Sequence, residues 1–145
     1  MPTALHHVTV VPDHADHLIG FLADVLSLPV GARREVDGAD VGPILFGTGV
    51  IHATSTIVGD APHGLIEVLE LIRDSDNHPR SRPSAEEIVL SLSFDGGNLH
   101  DVVQAANARG YDDVAGPATV RFGRHEVSVA AVRIEGVMLQ LTQLL

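Results

Sequence analysis

The chain of 145 residues carries one pattern of secondary-structure elements twice. In each half, a short apolar run of strand composition precedes a capped amphipathic helix, and three further strand-like runs follow. Because so small a sheet cannot bury its apolar face alone, we expect the two halves to share one hydrophobic core. The pattern predicts one α+β domain, with module one at 4–72, a linker at 73–87 and module two at 88–145.

The first half begins with a β-branched run from Leu5 to Val11, which is typical of a buried strand. Asp13 is the expected N-cap of the helix that follows. One face of this helix is apolar, and the helix is expected to end near Pro29. Its apolar positions are Leu18, Phe21, Leu22 and Val25. Three strands are predicted around 30–36, 50–58 and 65–72.

The second half repeats this order after a polar linker that contains two prolines. A strand is predicted over 88–94, and Asn98 is the expected N-cap of the second helix. Gly110 is expected to end that helix in a left-handed conformation. Strands are predicted around 118–122, 126–134 and 137–144, with a turn at Glu135 and Gly136 between the last two.

Composition excludes several classes of function. Nine basic against 19 acidic residues leave a formal net charge of -10, which argues against a nucleic-acid partner. The absence of cysteine excludes disulfides, thiolate metal sites and a cysteine nucleophile. The uncharged stretch 41–59 contains Pro43, four glycines and a run of three hydroxyl residues, which would be costly in lipid. We therefore expect no membrane partner. Since the run MPTALHHVTV has neither a basic leader nor a small-residue cleavage site, we also expect no signal peptide and a cytoplasmic protein.

In sequence, the chain resembles the vicinal oxygen chelate superfamily, also called the glyoxalase, bleomycin-resistance and extradiol dioxygenase superfamily. The segments that carry the likeness are LHHVTVVPDHADHLIGFLADVLSLPV, FGTGVIHATSTIVGDAPHGLIEVLEL, NARGYDDVAGP and GVMLQLTQLL. The resemblance implies two βαβββ modules that form an incomplete, curled mixed sheet around a central cavity. It also implies a small-molecule substrate and a homodimer.

Metal-dependent members of that superfamily place one ligand on the first and last strand of each module. Carried over by this resemblance, the first-module ligands fall on His7 and Glu67. In the second module, the first strand has no histidine or acid, and the position that corresponds to His7 is Val89 or Ser91. In its last strand, Gln140 occupies the position that corresponds to Glu67. Because an amide brings no charge and one ligand is lost, we prefer a site without a metal cofactor. A divalent metal on His7, Glu67 and Gln140 remains the alternative.

Glu67 is the most informative candidate residue, since its carboxylate lies in the middle of a largely apolar strand whose other acid, Glu70, is expected on the opposite face. A buried carboxylate needs a partner, and burial is expected to raise its pKa into the range of a general acid or base. His7 is the expected partner and second catalytic residue. Thr9 and Leu69 share the expected inward face. The predicted substrate-binding residues are Gln140, His52, Thr54, Ser91, Ser93 and His125.

Three functions remain open. The first is an enzyme for a carbonyl metabolite that forms an enolate (an isomerase, epimerase, lyase or cyclase), in which Glu67 moves the proton while His7 and Gln140 polarise the carbonyl. The second is a non-catalytic protein that binds or sequesters a small molecule, although aromatic residues for stacking make up only 3% of the chain. The third is a metal-dependent enzyme of the glyoxalase or dioxygenase type.

Overall fold

The computed structural model describes residues 7–37, 50–60, 64–73, 89–94, 98–122 and 124–145. The chain divides into two compact units, Met1–Glu86 and Glu87–Leu145. In the described residues, each unit holds one open four-stranded sheet and helical structure, so the chain is of mixed α+β class. The described part contains no helix that is long and apolar enough to cross a bilayer.

In the first unit, the sheet has the strand order β1-β4-β3-β2. Its elements are β1 (Val8–Val10), α1 (Ala15–Gly20), a π-helical segment (Phe21–Val25), β2 (Val30–Asp37), β3 (Val50–Asp60) and β4 (Gly64–Arg73). β1 runs parallel to β4, and the other neighbouring pairs are antiparallel. The predicted helix therefore forms, but its second half winds as a π-helix.

The helical segment covers one face of this sheet. Leu18, Phe21 and Leu22 are fully buried, and so are Val58 and Val68 of the central strands. Because side chains alternate along a strand, Glu67 of β4 lies on the opposite face from its neighbour Val68. We call the side of the sheet that the helical segment covers, with Val58 and Val68, the helix face. We call the opposite side the Glu67 face.

The predicted cap of the first helix is wrong. The helix begins after His14, which makes no side-chain capping bond, rather than at Asp13. Instead, the Glu70 carboxylate accepts a hydrogen bond from the Ala15 backbone N–H at 3.3 Å. A carboxylate at a helix N-terminus satisfies an orphan donor and complements the helix dipole. The cap therefore comes from β4, far away in sequence.

The second unit repeats the strand order as β5-β8-β7-β6. Its elements are β5 (Val89–Phe94), α2 (Leu99–Ala108), β6 (Val114–Phe122), β7 (His125–Ile134) and β8 (Val137–Leu144). Asn98 caps α2 by accepting from the His100 N–H at 3.0 Å, and Gly110 has a φ of 85°, so both predictions are confirmed. Glu135 and Gly136, with φ of 51° and 80°, form the predicted turn between β7 and β8.

Several sequence predictions fall on residues outside the described ranges. These are the start of the first strand before His7, the linker beyond Arg73, and the turns around Gly38, Ala61–Pro62 and Asp95–Gly97. The two described sheets have the same strand order, as the repeated pattern in the sequence predicts.

Candidate functional site

The Glu67 face brings together polar side chains from three neighbouring strands. Thr9 of β1 is aligned with Glu67 of β4, and Ser55 of β3 is aligned with Leu69. Aligned residues of neighbouring strands project on the same side of a sheet, so Thr9, Ser55 and Glu67 share one face. His7 lies two residues before Thr9 and has the same parity. The predicted common face of Thr9 and Leu69 with Glu67 is confirmed.

Three groups converge on the Glu67 carboxylate. The Ser55 hydroxyl donates to Oε1 at 2.6 Å, and the Thr9 hydroxyl donates to Oε2 at 2.7 Å. His7 Nε2 lies 3.2 Å from Oε2. Bonds of this length from a hydroxyl to a charged oxygen are the strong, charge-assisted kind. Both oxygens of the carboxylate are therefore held, and we call these four residues the Glu67 cluster.

The cluster lies at the boundary between core and solvent. Ser55 is only 9% exposed, while the side chains of Glu67 and His7 are 21% and 32% exposed. The carboxylate is thus anchored from beneath by a buried hydroxyl, and the imidazole beside it remains within reach of a dissolved molecule.

The pKa of Glu67 is lowered from its ordinary value of 4.5, which contradicts the expected rise. Burial by itself raises this pKa, but the hydrogen bonds from Ser55 and Thr9, together with the positive charge and hydrogen bond of His7, outweigh it. The expectation was wrong because it counted burial and omitted the hydroxyl donors. Glu67 is consequently a carboxylate at neutral pH.

Two predicted site residues lie on the other face of the sheet. His52 is aligned with Ile72, and Thr54 with Glu70, which places both on the helix face. Thr54 accepts a hydrogen bond from an Arg33 guanidinium nitrogen at 3.2 Å. His52 Nε2 lies 3.8 Å from a Glu35 carboxylate oxygen. The structure therefore corrects the placement of His52 and Thr54, since neither belongs to the Glu67 cluster.

The remaining predicted residues belong to the second unit. Half-buried Gln140 of β8 is aligned with Ser91 of β5, as Glu67 is with Thr9, and Ser93 is aligned with Thr142. This register makes Val89, two residues before Ser91, the counterpart of His7. His125 is the exposed first residue of β7. The substrate-binding roles of Gln140, Ser91, Ser93 and His125 stay predictions.

Sequence reasoning missed Ser55 as a functional residue. The only signal was the polar run Thr54-Ser55-Thr56 in the middle of the strand. Which of these three hydroxyls meets Glu67 depends on the register between β3 and β4, and that register places Ser55 diagonally across from Glu67.

The described donor set does not fit a resident catalytic metal ion. Such an ion normally keeps three firm protein ligands. Within the described ranges, no three histidine, cysteine or acidic side chains are grouped so as to hold one. His7 and Glu67 supply two ligands, both Glu67 oxygens already accept hydrogen bonds, and the counterpart positions in the second unit hold Val89 and uncharged Gln140. We therefore derive no chemical step through a metal.

The comparisons with known proteins identify the fold. No family model matches the chain, and no curated protein matches it in sequence. Among solved structures, a glyoxalase family protein from Bacillus cereus matches 100% of this chain and 96% of its own, with a TM-score of 0.70 and 17% identity. The chain has the vicinal oxygen chelate fold. The resemblance seen in the sequence is thus confirmed at the level of the fold.

Two further structures with the vicinal oxygen chelate fold match along nearly the whole chain. A glyoxalase, bleomycin-resistance and dioxygenase domain from a Frankia species covers 100% of this chain and 94% of its own, with a TM-score of 0.62 and 13% identity. The fosfomycin resistance protein FosX from Listeria monocytogenes covers 99% and 92%, with a TM-score of 0.57 and 10% identity. Because proteins with this fold carry different functions, the function of this chain has to be argued from its site.

Proposed function

We propose that this chain is an acid–base enzyme that moves a proton on a small carbonyl metabolite, with His7 and Glu67 as its catalytic pair. The observation that carries the proposal is the 3.2 Å contact of His7 Nε2 with a carboxylate that two hydroxyls already hold in place. An imidazole oriented by a fixed carboxylate is a recurring arrangement for general acid–base catalysis.

Because its pKa is lowered, Glu67 is proposed to have a different role from that of His7. A carboxylate with a low pKa is a weak base, so it is poorly suited to remove a proton from carbon near neutral pH. It is well suited to accept a hydrogen bond from Nε2–H and to stabilise a protonated ring. The lone pair of the neutral ring then lies on Nδ1, which we propose as the proton-accepting atom. This reverses the sequence-based assignment, in which Glu67 moved the proton.

The proposed reaction begins with removal of a proton from the carbon beside the carbonyl. The C–H electron pair forms the C=C bond of an enolate, and the proton passes to the His7 ring. Return of that proton to another carbon, or to the other face of the same carbon, gives an isomer or an epimer. Expulsion of a group from the next carbon would instead give a lyase. The sequence-based assignment of Gln140 as the group that polarises the carbonyl stays a prediction.

Deuterium exchange tests this function without knowledge of the substrate. The protein is incubated in D₂O with 2-oxo acids, hydroxy ketones, their phosphates and their neutral analogues, and loss of the C–H signal beside the carbonyl is followed by proton NMR. We expect at least one compound to exchange faster than in buffer. His7→Gln should abolish this enhancement, and Glu67→Gln should reduce it roughly 100-fold, a typical contribution of acid–base catalysis.

The control is His100→Gln, which changes an exposed histidine of α2 that is paired with Gln104. This variant should exchange as the wild type does. Exchange that survives in His7→Gln would remove the Glu67 cluster from the mechanism. Binding of a panel compound with no exchange in any variant would instead favour the non-catalytic, sequestering function.

The other expectations from the sequence also stay proposals. We propose a cytoplasmic homodimer that acts on a small molecule, has neither nucleic acid nor membrane as a partner, and needs no resident metal. Elemental analysis of protein purified without chelator should then show well under one equivalent of transition metal. A stoichiometric ion that resists dialysis would contradict that proposal.

A further inference from the structure

The edge strand β2 carries two consecutive arginines that project on opposite faces of the first sheet. Arg33 is aligned with Thr56, whose side chain is buried on the helix face. Arg34 is aligned with Ser55, which holds Glu67 from the other face. Because side chains alternate along a strand, Arg34 stands on the Glu67 face.

The charges beside Arg34 on this strand have partners on the helix face. Arg33 donates to Asp16 at 3.2 Å and to Thr54 at 3.2 Å, and it lies 3.5 Å from Glu70. Glu35 lies 3.8 Å from the ring of His52. These contacts link β2 to α1 and β4, so Arg33 has a structural explanation.

Within the described ranges, Arg34 has no such explanation. Its side chain is exposed, and no hydrogen bond or ion pair with another described residue engages it. Strand spacing of about 4.8 Å and a rise of about 3.4 Å per residue put its Cα about 12 Å from that of Glu67. The His7 ring lies 3.2 Å from the Glu67 carboxylate, so this interval leads from Arg34 to the cluster and is of the size of a small metabolite.

We propose that Arg34 binds an anionic group of the substrate, so that the substrate is a carbonyl compound bearing a carboxylate or a phosphate. The guanidinium matches the geometry of both oxyanions and can donate two parallel hydrogen bonds. Since the chain has a net charge of -10 and Glu67 adds a negative charge to the site, a local cation is what an anionic substrate requires here. The inference rests on the proposed function, because it assumes that the Glu67 cluster is where the substrate reacts.

A binding experiment tests the inference separately from catalysis. Protein labelled in its histidine rings is titrated with 2-oxobutyrate and its methyl ester, and with dihydroxyacetone phosphate and dihydroxyacetone. The His7 ring signal, assigned by its loss in His7→Gln, reports binding. We expect at least one anion to shift this signal with an affinity about tenfold or more above that of its neutral analogue. The two anions distinguish a carboxylate from a phosphate substrate.

Arg34→Gln should weaken binding of that anion about tenfold or more and leave binding of the neutral analogue unchanged. Arg34→Lys keeps the charge and should restore part of the affinity. Arg109→Gln removes one positive charge at the end of α2 and should change neither Kd. Equal affinity in Arg34→Gln and wild type, or no response of His7 to either anion, would overturn the inference. Tight, Arg34-dependent binding without deuterium exchange would overturn the proposed enzyme activity alone.

Discussion

The buried Ser55 hydroxyl donates a 2.6 Å hydrogen bond to Oε1 of Glu67 from the neighbouring strand. The bond is short because its acceptor is charged and its donor is held within the packed face of the sheet. It leaves Oε2 to accept from Thr9 and His7. A hydroxyl beneath the carboxylate and an imidazole beside it together explain why a charge is tolerated in this apolar strand.

Removing the Ser55 hydroxyl should raise the pKa of Glu67. In Ser55→Ala the carboxylate loses the largest of the interactions that lower its pKa, while burial continues to raise it. Carbon-13 NMR of the labelled Glu67 carboxyl group measures this shift directly. Thr54→Ala removes a hydroxyl from the adjacent residue on the other face and should leave the titration unchanged. Identical titrations in Ser55→Ala and wild type would show that the bond does not set the pKa.

The tautomer of His7 is a second expected outcome. A ring whose Nε2 faces the carboxylate should carry its proton on that nitrogen when it is neutral. Nitrogen-15 spectra of labelled histidine at alkaline pH distinguish the two tautomers. A neutral ring protonated on Nδ1 would be incompatible with the proposed proton acceptor.

The lowered pKa of Glu67 also makes stability depend on pH. A carboxyl group with a lower pKa in the folded than in the unfolded chain stabilises the fold above its unfolded pKa near 4.5. That stabilisation is lost as the pH falls through the folded value. The free energy of unfolding of the wild type should therefore drop relative to that of Glu67→Gln between pH 6 and pH 3. Urea unfolding of both proteins measures the difference, and a constant difference would contradict the lowered pKa.

Glu70 should matter for stability rather than for chemistry. Glu70→Ala removes the acceptor of the Ala15 N–H and one partner of Arg33, and loss of a helix cap typically costs about 1 kcal/mol. Glu70→Gln keeps an acceptor oxygen and should cost less. Glu35→Ala, an exposed carboxylate on β2, should change the free energy of unfolding by less than about 0.5 kcal/mol. Urea unfolding would contradict the assignment if the two alanine variants were equally stable.

Local signals in the sequence predicted the elements well. Asn98 and Gly110 bound the second helix because capping and left-handed termination depend on a few neighbouring residues. The turn at Glu135 and Gly136 was also predicted correctly, because a turn depends on the few residues that form it. The cap of the first helix failed because its acceptor, Glu70, comes from a strand more than fifty residues away.

The candidate site was predicted only in part, and the missing information is the register between strands. The family resemblance predicted that His7 and Glu67 share one face, and alternation within the first strand added Thr9 to it. Ser55 could not be selected over Thr54, since a shift of one residue in β3 exchanges the faces of both side chains. The sign of the Glu67 pKa shift depended on that same hydroxyl.

The pH titration of the Glu67 carboxyl resonance in the wild-type protein measures whether Ser55, Thr9 and His7 together stabilise the carboxylate. The cluster of Ser55, Thr9 and His7 predicts a midpoint below the ordinary value of 4.5, with the carboxylate fully ionised at neutral pH. A midpoint above 4.5 would contradict this expectation, because burial would then outweigh the hydrogen bonds from Ser55, Thr9 and His7.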